Sequence, residues 1–449
     1  MSKTALPVLA NAPAIDYELL LDCVHCGLCT SHCPTYVETG HEADSPRGRI
    51  HLMRGVIDGR IALDETVKGH LDLCLNCRAC ESACPSGVQY GKILEPFRLH
   101  LEAQEPGRAQ HALPWLQQLV VYNVFHSAWR SKLALIPAKL LQWTGVDRLL
   151  KSSGALNLLP ASVRALHEML PPLQMHYGQL PEVLPAEGPR RARVGLFLGC
   201  VADAVFPATN LATARVLQKN GCEVVVPRGQ QCCGALHYHA ALEAEARQLS
   251  ATNCTAFGVR PDGTLHAAGG PLDAIIVNAA GCGAMLKDYG HLTHGTPTAA
   301  AGQAFAKHTK DVSEFLAELG LIAPTHPLRL TATYHDACHL CHAQQIRSAP
   351  RQLLGQIPGL ELVPLAESEL CCGAAGSYNL TQPEMAERLG QRKARHLLAT
   401  GAQAVFTGNV GCLLQIRKHL RTHERPPLVA HPIDALWASY QGKEMKDGG

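Results

Sequence analysis

The sequence predicts an α+β multidomain chain with a helical N-terminal unit, a helical connector and a C-terminal half in which one α/β domain is duplicated. Three observations carry this. Two cysteine runs of identical spacing open the chain: Cys23-x2-Cys26-x2-Cys29-x3-Cys33-Pro34 and Cys74-x2-Cys77-x2-Cys80-x3-Cys84-Pro85. Residues 102–193 then hold no cysteine and many prolines. The remainder carries two Cys-Cys-Gly triplets set among short β-branched strands. The units are read as 1–105, 106–192, 193–325 and 326–449.

Each N-terminal run has the bacterial-ferredoxin spacing for a cubane iron–sulfur cluster, so this unit is expected to be ferredoxin-like, largely helical and to hold two [4Fe-4S] clusters. Cluster iron takes soft thiolates, and two-residue gaps let three neighbouring sulfurs converge on one face of a small cluster. The fourth ligand comes from the other run in the two-cluster arrangement. Cys23, Cys26, Cys29 and Cys84 are therefore assigned to one cluster, and Cys74, Cys77, Cys80 and Cys33 to its partner. Zinc sites or disulfides are the alternatives, but zinc usually closes with two separated Cys-x2-Cys pairs, not with three evenly spaced thiols and a Cys-Pro.

Between the runs, Ile50, Met53, Val56 and Ile57 have helical apolar spacing, and a second short helix is expected to end near Cys74. Arg47 and Arg49 stand just past the first run. They are placed either to donate to cluster sulfides and raise the reduction potential, or to form a solvated basic turn.

Composition narrows the function classes. The chain has 449 residues, 47% hydrophobic and 17% charged, with a net charge of +2, and no basic tail or block. A nucleic-acid partner held by phosphate contacts is not expected. Residues Met1 to Ala10 lack the basic and apolar regions of a signal peptide. The nineteen cysteines are accordingly expected to be reduced and largely metal ligands, in a cytoplasmic or peripheral protein at the inner face of a membrane.

In the connector, helical patches such as Leu116, Leu119, Val120 and Val124 alternate with proline breakers. Its stretch Ala109 to Trp129 has no lysine, arginine or acid and interleaves Trp115, Tyr122, Phe125 and Trp129. Burial against its own chain is the expected use of these aromatics, with a docking face for a partner or membrane as the alternative.

The C-terminal half repeats itself. The first copy runs from the strand Val194 to Gly199 into Cys200, then Cys232-Cys233-Gly234, then the strand Ala274 to Asn278 into Gly281-Cys282. The second runs from Leu330 to Tyr334 and Cys338, through Cys371-Cys372-Gly373, to Ala404 to Thr407 and Gly411-Cys412. Equivalent cysteines lie 138, 139 and 130 residues apart, which indicates duplication. Helices Leu211 to Leu217 and Met385 to Leu398 alternate with the strands, so a parallel sheet is expected, with its site at the strand C-terminal ends.

Four sulfurs per copy would then meet: Cys200, Cys232, Cys233 and Cys282, and Cys338, Cys371, Cys372 and Cys412. Adjacent cysteines point apart in extended backbone, so a vicinal pair suits two irons of one cluster better than one ion. At least one further iron–sulfur centre is expected here, with zinc or a vicinal disulfide as the alternative. The second copy, with an added Cys341 and with His335, His339 and His342 nearby, is favoured as the metallated one. Cys222 and Cys254 are read as buried structural thiols.

The order of these motifs resembles the iron–sulfur subunit of glycolate oxidase (glycolate dehydrogenase) across nearly the whole chain. Strings such as Cys23-Val24-His25-Cys26-Gly27, Pro46-Arg47-Gly48-Arg49-Ile50, Cys84-Pro85-Ser86-Gly87-Val88 and Cys371-Cys372-Gly373-Ala374-Ala375-Gly376 carry the resemblance. It implies a separate flavin-bearing subunit that oxidises glycolate to glyoxylate, and a relay of electrons through this chain toward a quinone or other acceptor. Consistent with that division, no Gly-x-Gly-x-x-Gly opening a helix after a strand and no Gly-x4-Gly-Lys is found, so no flavin of its own is expected.

Lactate-utilisation proteins, anaerobic glycerol-3-phosphate dehydrogenase and heterodisulfide reductases share the Cys-Cys-Gly module and give the alternative readings. Heterodisulfide-reductase modules end in Cys-x2-Cys, which neither Cys282 nor Cys412 completes. Cys341 is foreign to the glycolate-subunit pattern and has no assigned role.

Overall fold

In a computed structural model, residues 15–108, 112–173 and 179–445 are described. The stretch Met1 to Ala10 and the first residues of the uncharged connector segment, 109–111, lie outside them.

The N-terminal unit is helical around its cysteine runs. Helix α1 spans Pro46–Ile57, capped by Ser45, whose hydroxyl accepts the Gly48 amide at 2.9 Å, with proline in the first turn where a missing N–H costs nothing. Ile50, Met53, Val56 and Ile57 are buried, as their spacing predicts. They pack with Val67 and Leu71 of α2 (Glu65–Asp72) and Tyr90, Ile93, Leu94 and Phe97 of α3 (Tyr90–Gln104).

Beside a small antiparallel pair, His266–Ala267 with Gly270–Pro271, the described residues of the C-terminal half form two main sheets. Strands β1 (Val183–Leu184), β2 (Ala192–Phe197), β3 (Cys222–Val225), β4 (Ala274–Val277) and β5 (Thr309–Asp311) form the first, in the order β1-β3-β2-β4-β5. Strands β6 (Leu330–Tyr334), β7 (Leu360–Val363), β8 (Ala404–Phe406) and β9 (Leu428–Ala430) form the second, in the order β9-β8-β6-β7. Leaving aside the antiparallel edge strand β1, both sheets are parallel and place equivalent strands in the same order. The duplication is thus one of topology as well as of cysteine spacing. Every residue of β2 and β4 is buried, as befits parallel strands covered on both faces.

The covering helices include α4 (Pro207–Lys219), α5 (Glu243–Ala256), α6 (Ala280–Lys287) and α7 (Val312–Leu319) in the first copy, and α8 (Pro383–Ala399), α9 (Val410–Leu420) and α10 (Pro432–Gln441) in the second. The first copy has an apolar cluster of its own around Phe197, Phe257 and Phe305, but the two copies are also joined through a shared one. Val194, Leu196, Val216 and Ile276 of the first share one apolar cluster with Ala332, Tyr334, Phe406, Ile433 and Leu436 of the second.

The connector departs from expectation in two ways. Its end supplies the edge strand β1, so it is not wholly helical. Its aromatics also divide. Tyr122 is buried, and its carbonyl accepts from His237 Nε2 at 3.2 Å, but Trp115 and Trp129 are 74% and 64% exposed, and Trp143 further along is 72% exposed. The expectation that the segment buries its aromatics therefore holds for Tyr122 and fails for the two tryptophans. The short helices Trp115–Gln118 and Ala128–Ala134 each have room to bury only one side.

Candidate metal centres

The two N-terminal runs enclose two adjoining cavities. Cys23, Cys26, Cys29 and Cys84 line the first together with Cys80, and Cys33, Cys74, Cys77 and Cys80 line the second. The backbone explains how. In the first run His25 and Gly27 have φ of 55° and 85°, and in the second Asn76 and Arg78, at the same positions, have 51° and 59°. A left-handed residue on each side of the middle cysteine curls the loop around one point, the concave geometry that receives anions. The Asn76 amide accordingly donates to Cys74 Sγ at 3.4 Å. A net-negative thiolate cluster suits such a cradle, and the donor set fits iron–sulfur chemistry.

The two arginines take different roles. Arg49 is buried; its Nε donates to the His70 carbonyl at 2.7 Å, one Nη to Thr35 Oγ1 at 3.1 Å, and the other approaches Cys33 Sγ at 3.9 Å. Arg47 pairs with Glu42 at 2.7 Å and donates to the His25 carbonyl at 3.0 Å, where it helps wall the first cavity. Burial pushes the Cys29 thiol up to about 11 and raises Cys77 and Cys80 well above the ordinary thiol range. Such thiols hold their protons until a metal displaces them.

Each Cys-Cys-Gly repeat gathers its four cysteines at the C-terminal ends of its strands. Cys200 follows β2, the pair Cys232-Cys233 follows β3, and Cys282 sits in the first turn of α6 after β4; Cys338, Cys371-Cys372 and Cys412 follow β6, β7 and β8 in the same way. Cys200 Sγ lies 3.3 Å from Cys232 Sγ, and Cys338 Sγ lies 3.9 Å from Cys371 Sγ. Hydrogen bonds from Cys200 and Cys233 pull Cys232 below the usual thiol range. Lys393, buried in α8, donates to the Glu367 carbonyl and lies within the field of Cys371, Cys372 and Cys412; burial pushes its ammonium below the ordinary lysine range, and those cysteines oppose that shift. Sequence reading passed over it, because a lysine on an amphipathic helix ordinarily faces water.

Gly234 and Gly373 have φ of 90° and 88°, the left-handed turn that lets the vicinal pair present both sulfurs inward. Cys222 and Cys254 are buried, and desolvation pushes each up to about 12. Cys341 opens toward the Cys338 carbonyl, 3.8 Å away, within a π-helical turn over His339–Ala343. His342 uses both nitrogens, on Ser82 Oγ at 3.1 Å and on the Glu369 carbonyl at 3.2 Å, and His339 Nε2 meets the Asn76 carbonyl at 3.2 Å.

The four sites form a contiguous series. Cys80 borders both N-terminal cavities. Cys77 and Leu75 share an apolar cluster with Cys338, Cys371 and Tyr378, and the Tyr378 hydroxyl donates to the Leu73 carbonyl at 2.8 Å. Asn409 spans the two repeats: its Oδ1 accepts the Gly281 amide at 3.1 Å while its Nδ2 donates to Cys412 Sγ at 3.5 Å.

A dicluster unit joined to a pair of cysteine-rich domains defines a class of iron–sulfur oxidoreductase subunits, and comparison with known sequences agrees. The profile described as "4Fe-4S dicluster domain" matches residues 19–88, "Cysteine-rich domain" matches 194–287 and 332–417, and "Glycolate oxidase iron-sulfur subunit, linker region" matches 112–170.

The chain is 38% identical over 415 residues to the "Probable glycolate oxidase iron-sulfur subunit" of Bacillus subtilis, covering 90% of this chain and 89% of that protein. It is 32% identical over 428 residues to the "Glycolate oxidase iron-sulfur subunit" of Escherichia coli, covering 92% and 94%. "Lactate utilization protein A" of Geobacillus kaustophilus is 29% identical over 246 residues, 54% of this chain and 98% of that protein. The chain belongs to the glycolate oxidase iron–sulfur subunit family and carries iron–sulfur clusters.

Proposed function

We propose that this chain is the electron-transfer subunit of a glycolate-oxidising complex, in which a separate flavin-bearing subunit converts glycolate to glyoxylate and the electrons leave toward a quinone or another acceptor. The observation that carries the reading is the unbroken series of sulfur sites from the first run, through Cys77 beside Cys338, to Asn409 between the two repeats. Iron–sulfur clusters, when bound, carry electrons singly, which suits a relay and not hydride removal.

In this reading Cys23, Cys26, Cys29 and Cys84 hold one [4Fe-4S] cluster, and Cys74, Cys77, Cys80 and Cys33 hold the other. Cys338, Cys371, Cys372 and Cys412 hold a third centre, and Cys200, Cys232, Cys233 and Cys282 offer a fourth. Crossed ligation would tie the two runs together, and the buried Arg49 would hold Cys33 in place. The units 1–105, 106–192, 193–325 and 326–449 then correspond to cluster unit, connector and two repeats. Among the described residues no helix is long and apolar enough to cross a membrane, so contact with a membrane acceptor would be peripheral.

Glycolate-dependent dye reduction tests the proposal. Activity that needs both this chain and the flavoprotein supports it, whereas full activity of the flavoprotein with its natural acceptor after deletion of this chain would overturn it. A lactate-oxidising complex is the second reading, favoured by the match to the lactate-utilisation protein; substituting lactate in the same assay separates the two.

A further inference from the structure

The two repeats differ at one position that the cysteine pattern does not reveal. Three residues before the lead cysteine, the first copy has Phe197 and the second has His335, 138 positions apart like the lead cysteines themselves. Phe197 is fully buried and stacks on Phe257, with ring centroids 6.2 Å apart. His335 is equally buried but does not pack as a hydrocarbon.

Its Nδ1 lies 3.0 Å from the Ser368 carbonyl. A carbonyl only accepts, so Nδ1 carries the proton and Nε2 is left with its lone pair. Among the described residues Nε2 has no hydrogen-bond partner. It lies with the sulfurs of Cys372 and Cys412, all three donor atoms within 4.8 Å of one another. A buried acceptor left unpaired is costly, and a metal among those sulfurs would satisfy it. A carbonyl that accepts from the far ring nitrogen is also the usual arrangement for a ligating histidine.

We infer that the metal centre of the second repeat takes a nitrogen ligand, Nε2 of His335, alongside its cysteine sulfurs, and that the first repeat has no counterpart of it. The inference rests on the reading that the second repeat binds metal. An imidazole is a neutral donor where a further thiolate would bring a negative charge, so the centre has a higher potential than an all-thiolate set of the same size, as with histidine ligation in other iron–sulfur centres. The two repeats would then be inequivalent stations, with the histidine-bearing one next to Cys77 of the cluster unit.

The test uses the full chain isolated anaerobically, with histidine labelled in 15N, and pulsed EPR at oxidising and at reducing potentials. A histidine-nitrogen coupling on one centre, absent in His335→Phe while the two N-terminal signals are unchanged, is the expected result. In His335→Cys the centre keeps its metal and loses the nitrogen coupling, which guards against a variant that fails to fold. Where metal counting finds zinc, X-ray absorption at the zinc edge should report one nitrogen with three sulfurs; four sulfurs overturn the inference.

No histidine coupling in the wild type, or one that survives in His335→Phe, also overturns it. About eight irons per chain and no zinc would remove the metal reading of the repeat and the inference with it, on four-iron arithmetic. A third centre present without nitrogen would remove the inference alone.

Discussion

The cluster unit and the Cys-Cys-Gly half both gather cysteines, but by opposite means. In the first, three of the sulfurs lining each cavity come from seven consecutive residues, Cys23 to Cys29 or Cys74 to Cys80, and the other run contributes the rest. Local backbone does most of the gathering, through left-handed residues flanking the middle cysteine. In the second, each set is assembled from three strand ends separated by tens of residues, so the sheet does the gathering. The first kind of site therefore depends on loop conformation, and the second on the integrity of an entire α/β layer.

The largest expected effect separates the two regions by metal content. Cys77→Ser should lose about four irons per chain and reduce glycolate-dependent electron transfer to background. Cys282→Ser should leave the iron of the N-terminal runs intact. Loss of that iron in Cys282→Ser would show the two regions to be one folding unit, and unchanged iron in Cys77→Ser would break the comparison outright.

Next in size is a pair of glycine substitutions in the layered half. A Cβ on Gly373 would meet the Ala386 carbonyl oxygen at 2.9 Å at a φ of 88°, whereas one on Gly234 at 90° meets only ordinary contacts from 3.4 Å outward. Gly373→Ala should destabilise by about 3 kcal/mol and Gly234→Ala by about 1 kcal/mol, on the cost of left-handed non-glycine backbone with and without a clash. Denaturant midpoints check this, and equal losses would refute the distinction.

Within the cluster unit, Arg49→Lys should cost about 2 kcal/mol through the lost guanidinium hydrogen bonds, and lower the potential of the centre that includes Cys33. Arg47→Lys, at a more open position, should shift both less. Thermal unfolding and potentiometric titration of the two variants rank them.

The smallest effect is in pH. Cys29 is pushed up to about 11 by burial, and Cys77, Cys80 and Cys338 are also raised, the last chiefly by its hydrogen bond with Cys371. Metal takes the thiolate, so loading releases protons, improves as pH rises and weakens as it falls. In the apo chain the sign for stability is opposite. Folded-state values above the unfolded value near about 8.5 contribute stability that is present below that pH and is lost above it. Reconstitution should therefore be fuller at pH about 9 than at about 7, while the apo chain unfolds more readily above about 9; iron counts and melting curves along one pH series measure both.

The connector shows where periodicity runs out. Val121 and Tyr122 are buried, yet Trp115 and Trp129 face outward although all belong to one uncharged, aromatic-rich stretch. Hydropathy records how much apolar surface a segment has. It does not record how much of a neighbour's surface is available to cover it.

What the sequence by itself determined is everything that depends on short spacing: the two cysteine runs, the helix over Ile50 to Ile57, the duplicated strands and their cysteines. These are legible because residues close in sequence share one backbone geometry, and so their pattern is their structure. Only the tertiary structure decided that both repeats share an apolar cluster, that Cys77 stands beside Cys338, that Arg49 is buried and Arg47 is not, and that His335 turns a free nitrogen toward Cys372 and Cys412. Those facts join segments far apart in the chain, and their energetics reside in burial and in which polar group finds a partner, which a linear pattern does not encode.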